Sequence, residues 1–103
     1  MLDSGVRPDA VFCFNDTLAL GAMRALHEHG LRVPDDVAVA GFDDIEDGRF
    51  SVPTLTTVAP DKEQIAQLAV DLLAKRLAGG VEAAPHELVA TYRLEIREST
   101  ATP

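Results

Sequence analysis

The chain alternates between short apolar runs and longer amphipathic segments. Residues 10–14 and 36–41 are two mainly apolar runs, a pattern typical of strands buried in a parallel sheet. Between them the sequence predicts a helix that is capped by Asn15 and ends near His29. Its apolar stripe consists of Leu18, Ala22, Met23 and Leu26. Because a helix connects the two strands, the pattern predicts a parallel β-α-β unit.

A second amphipathic segment predicts another helix from about Pro60 to Ala78. Asp61 and Gln64 have the spacing of a capping box at its start, and the pair Gly79-Gly80 ends it. The apolar stripe of this helix consists of Ile65, Leu68, Ala69, Leu72 and Leu73.

The segments on either side of this helix predict short strands. Residues 42–54 are polar and irregular, and residues 55–58 form a short β-like run. Residues 87–97 alternate in polarity, which predicts one or two strands around Leu88, Tyr92, Leu94 and Ile96. The fold class predicted from these elements is α/β with a parallel sheet.

Composition limits the chain to one compact unit and argues against nucleic acid as a direct partner. Of the 103 residues, 47% are hydrophobic and 25% charged, which is a globular composition. The formal net charge is −8, whereas affinity for a phosphate backbone comes largely from Lys and Arg. The single cysteine, Cys13, lies within an apolar run, where a thiol is usually an inert buried group.

The sequence predicts a cytoplasmic location. Residues 1–5 lack the basic and apolar regions of a secretion signal, and no apolar stretch approaches membrane-spanning length. A single cysteine forms no internal disulfide, which suits a reducing compartment. We therefore expect no membrane partner.

Two polar pairs follow directly on the predicted strands. Asn15-Asp16 follows the first strand, and Asp43-Asp44 follows the second. In open α/β sheets, ligands bind beyond the carboxyl ends of the strands. The pairs therefore predict a ligand-binding site at one edge of the sheet.

The order of several motifs resembles the C-terminal part of the LacI/GalR family of bacterial transcriptional regulators. The resemblance runs from about Arg7 to Thr100 and rests on the strings FND, ALGA, GLRVPDDV, GFDD, PTLTTV and RLEIREST. It implies a type I periplasmic-binding-protein-like sensor, in which a sugar or nucleoside-like metabolite lies between two α/β subdomains.

The resemblance also implies how this chain is divided. Residues 1–58 would belong to the C-terminal subdomain, residues 59–87 to a helix and connection of the N-terminal subdomain, and residues 88–100 to a returning strand. The chain would thus form an incomplete C-terminal subdomain with one helix of the other subdomain. No helix-turn-helix headpiece or hinge helix is present in the sequence, so we expect operator DNA to be bound only through a headpiece that this chain lacks.

The resemblance and the residue chemistry together nominate the ligand contacts. Asp43 resembles the acid that receives ligand hydroxyls, and a carboxylate can accept two hydroxyl protons. Asn15 would read another ligand oxygen, or would only cap the helix. Phe42 could stack on a sugar, although closing the core is the favoured interpretation. Asp16 is a secondary ligand candidate, but Asp16 and Asp44 are expected mainly to hold the loop backbone or the helix dipole.

Family members associate through a face of the C-terminal subdomain, which implies a homodimer. The residues at the matching place are Leu20, Arg24, Phe50 and Val52. The alternative for Leu20 is a scattered apolar residue on the surface, which is common in monomers.

Catalysis, a cofactor and a metal are not expected. The sequence has no G-x-S-x-G elbow, no phosphate-binding loop with Lys and no nucleophile beside a base. The acids after residue 42 lack the glycine and distal Glu of an EF-hand. A phosphotransfer receiver using Asp43 and Asp44 on Mg²⁺ would need a further Asp and a Lys at other strand ends, and neither is identifiable. Two alternatives stay open: a periplasmic sugar-binding protein of the same fold, and an inactive truncated fragment.

Overall fold

The computed structural model describes residues 7–79 and 90–101. The elements are β1 (Ala10–Phe12), α1 (Asp16–Glu28), β2 (Ala38–Phe42), α2 (Asp47–Phe50), β3 (Thr56–Pro60), α3 (Lys62–Gly79) and β4 (Tyr92–Glu95). The strand order in the sheet is β1-β2-β3-β4. By compactness the chain divides into two units, one that ends at Ala59 and resumes at Leu94 and one from Pro60 to Arg93, so the expectation of one compact unit from composition is wrong.

The parallel β-α-β unit predicted from the sequence is confirmed. β1 pairs in parallel with β2, with Ala10 opposite Ala38, and β2 pairs in parallel with β3, with Phe42 opposite Val58. The helix between β1 and β2 is capped by Asn15 as expected. Gly30, just beyond its end, has φ of 74°, a left-handed conformation that glycine adopts without steric cost.

The helix α1 packs on the sheet through a face that differs from the predicted stripe. Its buried residues are Asp16, Ala19, Met23 and Leu26, whereas Leu18 is 55% exposed. The reason is a close approach between the helix and β2. A Cβ at Gly41 would lie 3.2 Å from the Cβ of Ala19. The helix therefore contacts β2 through the small side chain of Ala19, and the larger Leu18, which the prediction placed in the stripe, is left exposed. The core beneath α1 consists of Ala19, Met23, Leu26, Val37, Val39 and Leu55.

The strand β1 is shorter and more exposed than the apolar run predicted. It ends at Phe12, which is 66% exposed, and Phe14 beyond it is 85% exposed. Val11 and Cys13, on the opposite face, pack against the core. Because the run is continuously apolar, both faces of the strand carry apolar side chains, but α1 covers only one of these faces.

The loop after β2 contains a helix that the sequence analysis did not predict. Residues 42–54 include α2, whose Gly48 is buried against Leu55, and the N–H of Leu55 donates to the carbonyl of Gly48 at 2.8 Å. A helix of four residues is too short to show a helical period.

The C-terminal segment connects β2 to β3 through Ser99, which is fully buried. Its Oγ donates to the Val39 carbonyl at 2.5 Å and accepts from the Thr56 N–H at 2.8 Å. Its carbonyl accepts from the Val39 N–H at 3.1 Å, and its own N–H donates to Thr54 at 2.9 Å. Ser99 therefore links two strands of the sheet at once.

The helix α3 begins as predicted, but its cap is shared with a distant residue. The Gln64 N–H donates to the Asp61 carboxylate at 3.0 Å, as in a capping box. The Gln64 side chain does not return to Asp61. It accepts from the N–H and the hydroxyl of Thr91, and the Asp61 N–H donates to the Thr91 carbonyl.

The predicted apolar stripe of α3 is not buried by the described residues. No α3 side chain is buried, and Ile65 and Leu73 are 43% and 59% exposed. The late strand is likewise shorter than predicted and exposed, with Tyr92 75% exposed. Leu88, which the strand prediction included, lies outside the described residues.

Candidate functional site

The two polar pairs predicted from the sequence lie at the same edge of the sheet. β1 and β2 run in parallel, and each pair follows the carboxyl end of its strand. The Cys13 N–H continues the pairing beyond β1 by donating to Ala40 at 2.9 Å. The Asp43 N–H continues it beyond β2 by donating to Val58 at 2.9 Å. This edge is the usual ligand-binding position of an open parallel sheet.

Asn15 caps α1 with its side-chain oxygen, and its side-chain nitrogen remains available as a hydrogen-bond donor. Its side-chain oxygen accepts from the Leu18 N–H at 2.8 Å, so the capping interpretation is confirmed. Among the described residues, its side-chain nitrogen has no hydrogen-bond partner. Capping uses only the acceptor of the amide, so it leaves a half-buried donor at the sheet edge.

Asp43 is the free carboxylate of the site. Its backbone has φ of 114°. Within residues 7–79 and 90–101, its carboxylate has neither a hydrogen bond nor an ion pair. The residue is half-buried, which leaves the carboxylate accessible. It can therefore accept hydrogen bonds from a ligand.

Asp16 has the structural role that the sequence analysis favoured. It is fully buried, and its carboxylate accepts from the Thr57 hydroxyl at 2.7 Å and from the Ile45 N–H at 2.9 Å. A Cβ at Gly41 would overlap this carboxylate. Asp16 thus ties the start of α1 to the loop after β2 and to β3. Direct contact between Asp16 and a ligand stays a prediction, one that its complete burial argues against.

Asp44 is a buried acid that binds two arginines. Its carboxylate binds Arg97 at 2.7 Å and Arg49 at 2.9 Å. Burial alone would raise the pKa of Asp44, but the hydrogen bonds and charges of the two arginines outweigh it and hold the pKa below its usual value. Asp44 is therefore ionised at neutral pH and holds the loop that carries Asp43.

Aromatic side chains stand beside both polar pairs. Phe42 is 37% exposed, so the favoured expectation that it closes the core is wrong: it lies on the sheet face that α1 does not cover. Phe14, next to Asn15, is 85% exposed, and the sequence analysis did not nominate it. The signal that could have found it is the repeated order of an aromatic residue followed by a polar pair.

Three of the four residues nominated for the dimer interface line a groove on the first unit. Leu20, Arg24 and Val52 are among the residues that line this groove of about 750 Å³. Val52 is 96% exposed and Phe50, outside the groove lining, is 76% exposed. Leu20 also packs against the core, so it is not an isolated surface residue. Arg24 forms an exposed ion pair with Glu28 at 2.8 Å.

Three further features of the described residues concern metals, thiols and membranes. Within residues 7–79 and 90–101, no group of three or more His, Cys, Asp or Glu side chains could hold a metal ion. Burial raises the pKa of the Cys13 thiol, which favours the protonated form over the reactive thiolate. No helix in this part of the chain is both long and apolar enough to cross a bilayer.

Comparison with known proteins identifies the family. The family model of the periplasmic binding protein-like domain matches residues 1–100. The HTH-type transcriptional repressor PurR of Histophilus somni is 45% identical over 96 residues, which are 92% of this chain and 28% of PurR.

Solved structures give the same result. A LacI-type transcription regulator from Bifidobacterium animalis is 43% identical with a TM-score of 0.89, over 99% of this chain and 36% of that one. The lac repressor dimer bound to operator and the anti-inducer ONPF is 39% identical with a TM-score of 0.88, over 99% of this chain and 35% of that one.

The chain thus spans about a third of the length of these proteins. The matches cover nearly all of it, and they confirm the resemblance found in the sequence motifs. The chain belongs to the periplasmic binding protein-like domain family, in the form that LacI/GalR-type transcriptional regulators carry.

Proposed function

We propose that this chain is the effector-binding and dimerising portion of a LacI/GalR-type transcriptional regulator, and that it senses a sugar or similar polar metabolite. The observation that carries the proposal is the pair of polar groups at one edge of the sheet, the Asn15 side-chain nitrogen and the Asp43 carboxylate. Neither has a partner among the described residues, although both lie where parallel sheets bind ligands.

The chemistry of the pair favours a neutral ligand that is rich in hydroxyl groups. Asp43 can accept two hydroxyl protons, and Asn15 can donate to a hydroxyl or ring oxygen. Because no cation neutralises Asp43 within the described residues, a phosphorylated ligand would be repelled at this position. The exposed rings of Phe14 and Phe42 offer apolar faces beside the polar pair.

The division into subdomains is part of the same proposal. Residues 1–58 and the segment returning over 88–100 would form the C-terminal subdomain, and residues 59–87 would belong to the N-terminal one. The passage of the chain out of the first unit after Ala59 supports the first of these bounds, whereas the return at Leu94 lies six residues beyond the start proposed for the returning segment. Ligand binding would shift the conformational equilibrium of the whole regulator, and thereby the DNA affinity of a headpiece outside this chain.

We further propose that Leu20, Arg24, Phe50 and Val52 form a homodimer contact. The high exposure of Phe50 and Val52 supports it, because a monomer rarely leaves neighbouring large apolar side chains in water. A two-fold interface would bring the same patch of both protomers together. The related lac repressor is a dimer in its operator complex, which agrees with this assignment.

A periplasmic sugar-binding protein of the same fold is the second candidate. The similarity to transcriptional repressors favours the regulator, and with it a cytoplasmic location and no catalytic activity. The coding sequence upstream of this chain separates the two. A helix-turn-helix segment would support the regulator, and a secretion signal would support the periplasmic protein.

The effector site is tested by NMR titration of the chain with D-ribose, D-galactose and adenosine. We expect binding in the millimolar range, because half a pocket leaves much of the ligand uncovered, with shifts at the amides of Asn15 and Asp43. Asp43→Asn should abolish them, whereas Asp47→Asn, an exposed acid of the same loop, should not. If no probe perturbs this edge at about 0.1 M, or if Asp43→Asn changes nothing, the proposal is wrong.

A further inference from the structure

The turn that carries Asp43 has an unusual backbone conformation. φ is 114° at Asp43 and 55° at Asp44, a region that residues other than glycine rarely adopt. Two such residues in succession persist only where the surrounding contacts hold them in place. The contacts of this turn therefore decide where the Asp43 carboxylate is presented.

The backbone of the turn is held by three successive N–H groups. They belong to residues 43, 44 and 45, and their acceptors are the carbonyl of Val58 at 2.9 Å, the hydroxyl of Thr57 at 3.3 Å and the carboxylate of Asp16 at 2.9 Å. The bond to Thr57 is the longest of the three, and it belongs to Asp44. The backbone of Asp44 is thus held by the weakest of the three hydrogen bonds, whereas its side chain forms two ion pairs.

Those side-chain contacts come from two arginines of unequal rigidity. Arg97 donates to the Asp44 carboxylate at 2.7 Å, and Arg49 does so at 2.9 Å. Only 17% of the Arg97 side chain is exposed, against 52% for Arg49. Arg97 is also fixed at both ends: its guanidinium donates to the Leu55 carbonyl at 2.9 Å, and its N–H donates to the Thr56 hydroxyl at 2.8 Å.

We infer that Arg97 is a positioning residue of the proposed effector site. By holding Asp44 against β3, it maintains the left-handed turn that presents the Asp43 carboxylate to a ligand. Arg97 acts through Asp44, from 53 positions further along the chain, and does not itself contact the ligand. Arg49 binds the same carboxylate, but its side chain is half exposed. Its ion pair is therefore weakened by solvent and contributes little to the conformation of the turn. This inference rests on the proposed function.

The test compares Arg97→Gln with Arg49→Gln in the whole chain by NMR. Each removes one arginine from the same carboxylate, so the second is a matched control. We expect Arg97→Gln to change the three-bond HN–Hα couplings of Asp43 and Asp44, which report φ, while the amides of α1 keep their shifts. Arg49→Gln should leave the couplings as they are. Unchanged couplings in a folded Arg97→Gln chain would overturn the inference.

Two further variants keep the test decisive if Arg97→Gln does not fold. Arg97→Lys retains the charge but lacks the planar fork, so one donor cannot reach both Asp44 and the Leu55 carbonyl. Asp44→Asn retains the shape but loses the charge. Both should alter the Asp43 coupling, and a native coupling in the two variants would refute the positioning role.

D-ribose titration of the same variants separates this inference from the proposed function. Arg97→Gln should weaken D-ribose binding by about fivefold or more, a usual size for coupling between a ligand and a residue that does not touch it. If Asp43→Asn leaves D-ribose binding unchanged, the proposed site is wrong regardless of Arg97. If Asp43→Asn abolishes binding and Arg97→Gln leaves it at the native value, the site stands and the positioning role fails.

Discussion

Replacing Ser99 with alanine tests whether one buried hydroxyl holds β2 and β3 together. The substitution removes the acceptor of the Thr56 N–H and the donor to the Val39 carbonyl. Thr56 is 3% exposed and Val39 is fully buried, so water cannot replace the lost partner. Each buried group left unsatisfied costs about 1–3 kcal/mol. Two such groups give about 2–6 kcal/mol, and partial relaxation places the expected loss at about 2–4 kcal/mol.

Urea unfolding followed by circular dichroism measures this loss. With an m-value of about 1–3 kcal/mol/M, the midpoint should fall by about 1 M or more. Ser51→Ala is the control, because its half-buried hydroxyl donates only to the loop carbonyls of Gly48 and Pro53 and should cost about 1 kcal/mol or less. A Ser99→Ala chain as stable as the Ser51→Ala chain would show that the hydroxyl does not link the strands.

Three further predictions follow from other parts of the structure. Gly41→Ala should destabilise the chain by about 1–3 kcal/mol in thermal unfolding, because the new Cβ would overlap the buried carboxylate of Asp16. Gly21→Ala is the control: a Cβ there has nothing within 4 Å, so the variant should be neutral or stabilising. Equal effects of the two substitutions would refute the close approach of α1 to β2 at Gly41. The Asp44 carboxyl has a lower pKa in the folded chain than its usual value, so its contribution is present above the unfolded pKa and is lost as pH falls through the folded pKa. Asp44→Asn should therefore flatten the acid side of the stability profile, and an unchanged profile would contradict the ion-pair assignment. Val52→Asp should weaken dimerisation in sedimentation experiments whereas Val70→Asp, on α3, should not, and equal dimerisation of both would remove Val52 from the interface.

Local signals allowed the β-α-β unit and its caps to be predicted. Asn15 and Asp61 are capping residues directly before amphipathic segments, so each signal lies within a few positions of the element it starts. The helix α2 was missed because its four residues carry no period. The predicted stripe of α1 was partly wrong because the fit between Ala19 and Gly41 depends on how closely helix and strand approach, which hydrophobicity does not encode.

The candidate site was predictable in position but not in its internal contacts. The polar pairs follow apolar runs, and this order places Asn15 and Asp43 at one edge of a parallel sheet. The support of the site depends on residues far apart in the chain. Arg97 meets Asp44 across 53 positions, and no periodicity reports such a pair. Exposure of Phe42 was mispredicted because an apolar run does not reveal which face of a sheet is covered.

The divided use of the Asn15 amide offers a route to redesigned ligand specificity. Its oxygen already accepts from the Leu18 N–H, so the orientation of the amide is set before any ligand arrives, and its nitrogen has no partner among the described residues. Aspartate and asparagine are equally effective as N-cap residues of helices. Asn15→Asp would therefore keep α1 intact while exchanging the outward donor for an acceptor. Under the proposed function, this one exchange would favour ligands that carry an amine at this position over ligands that carry a hydroxyl oxygen.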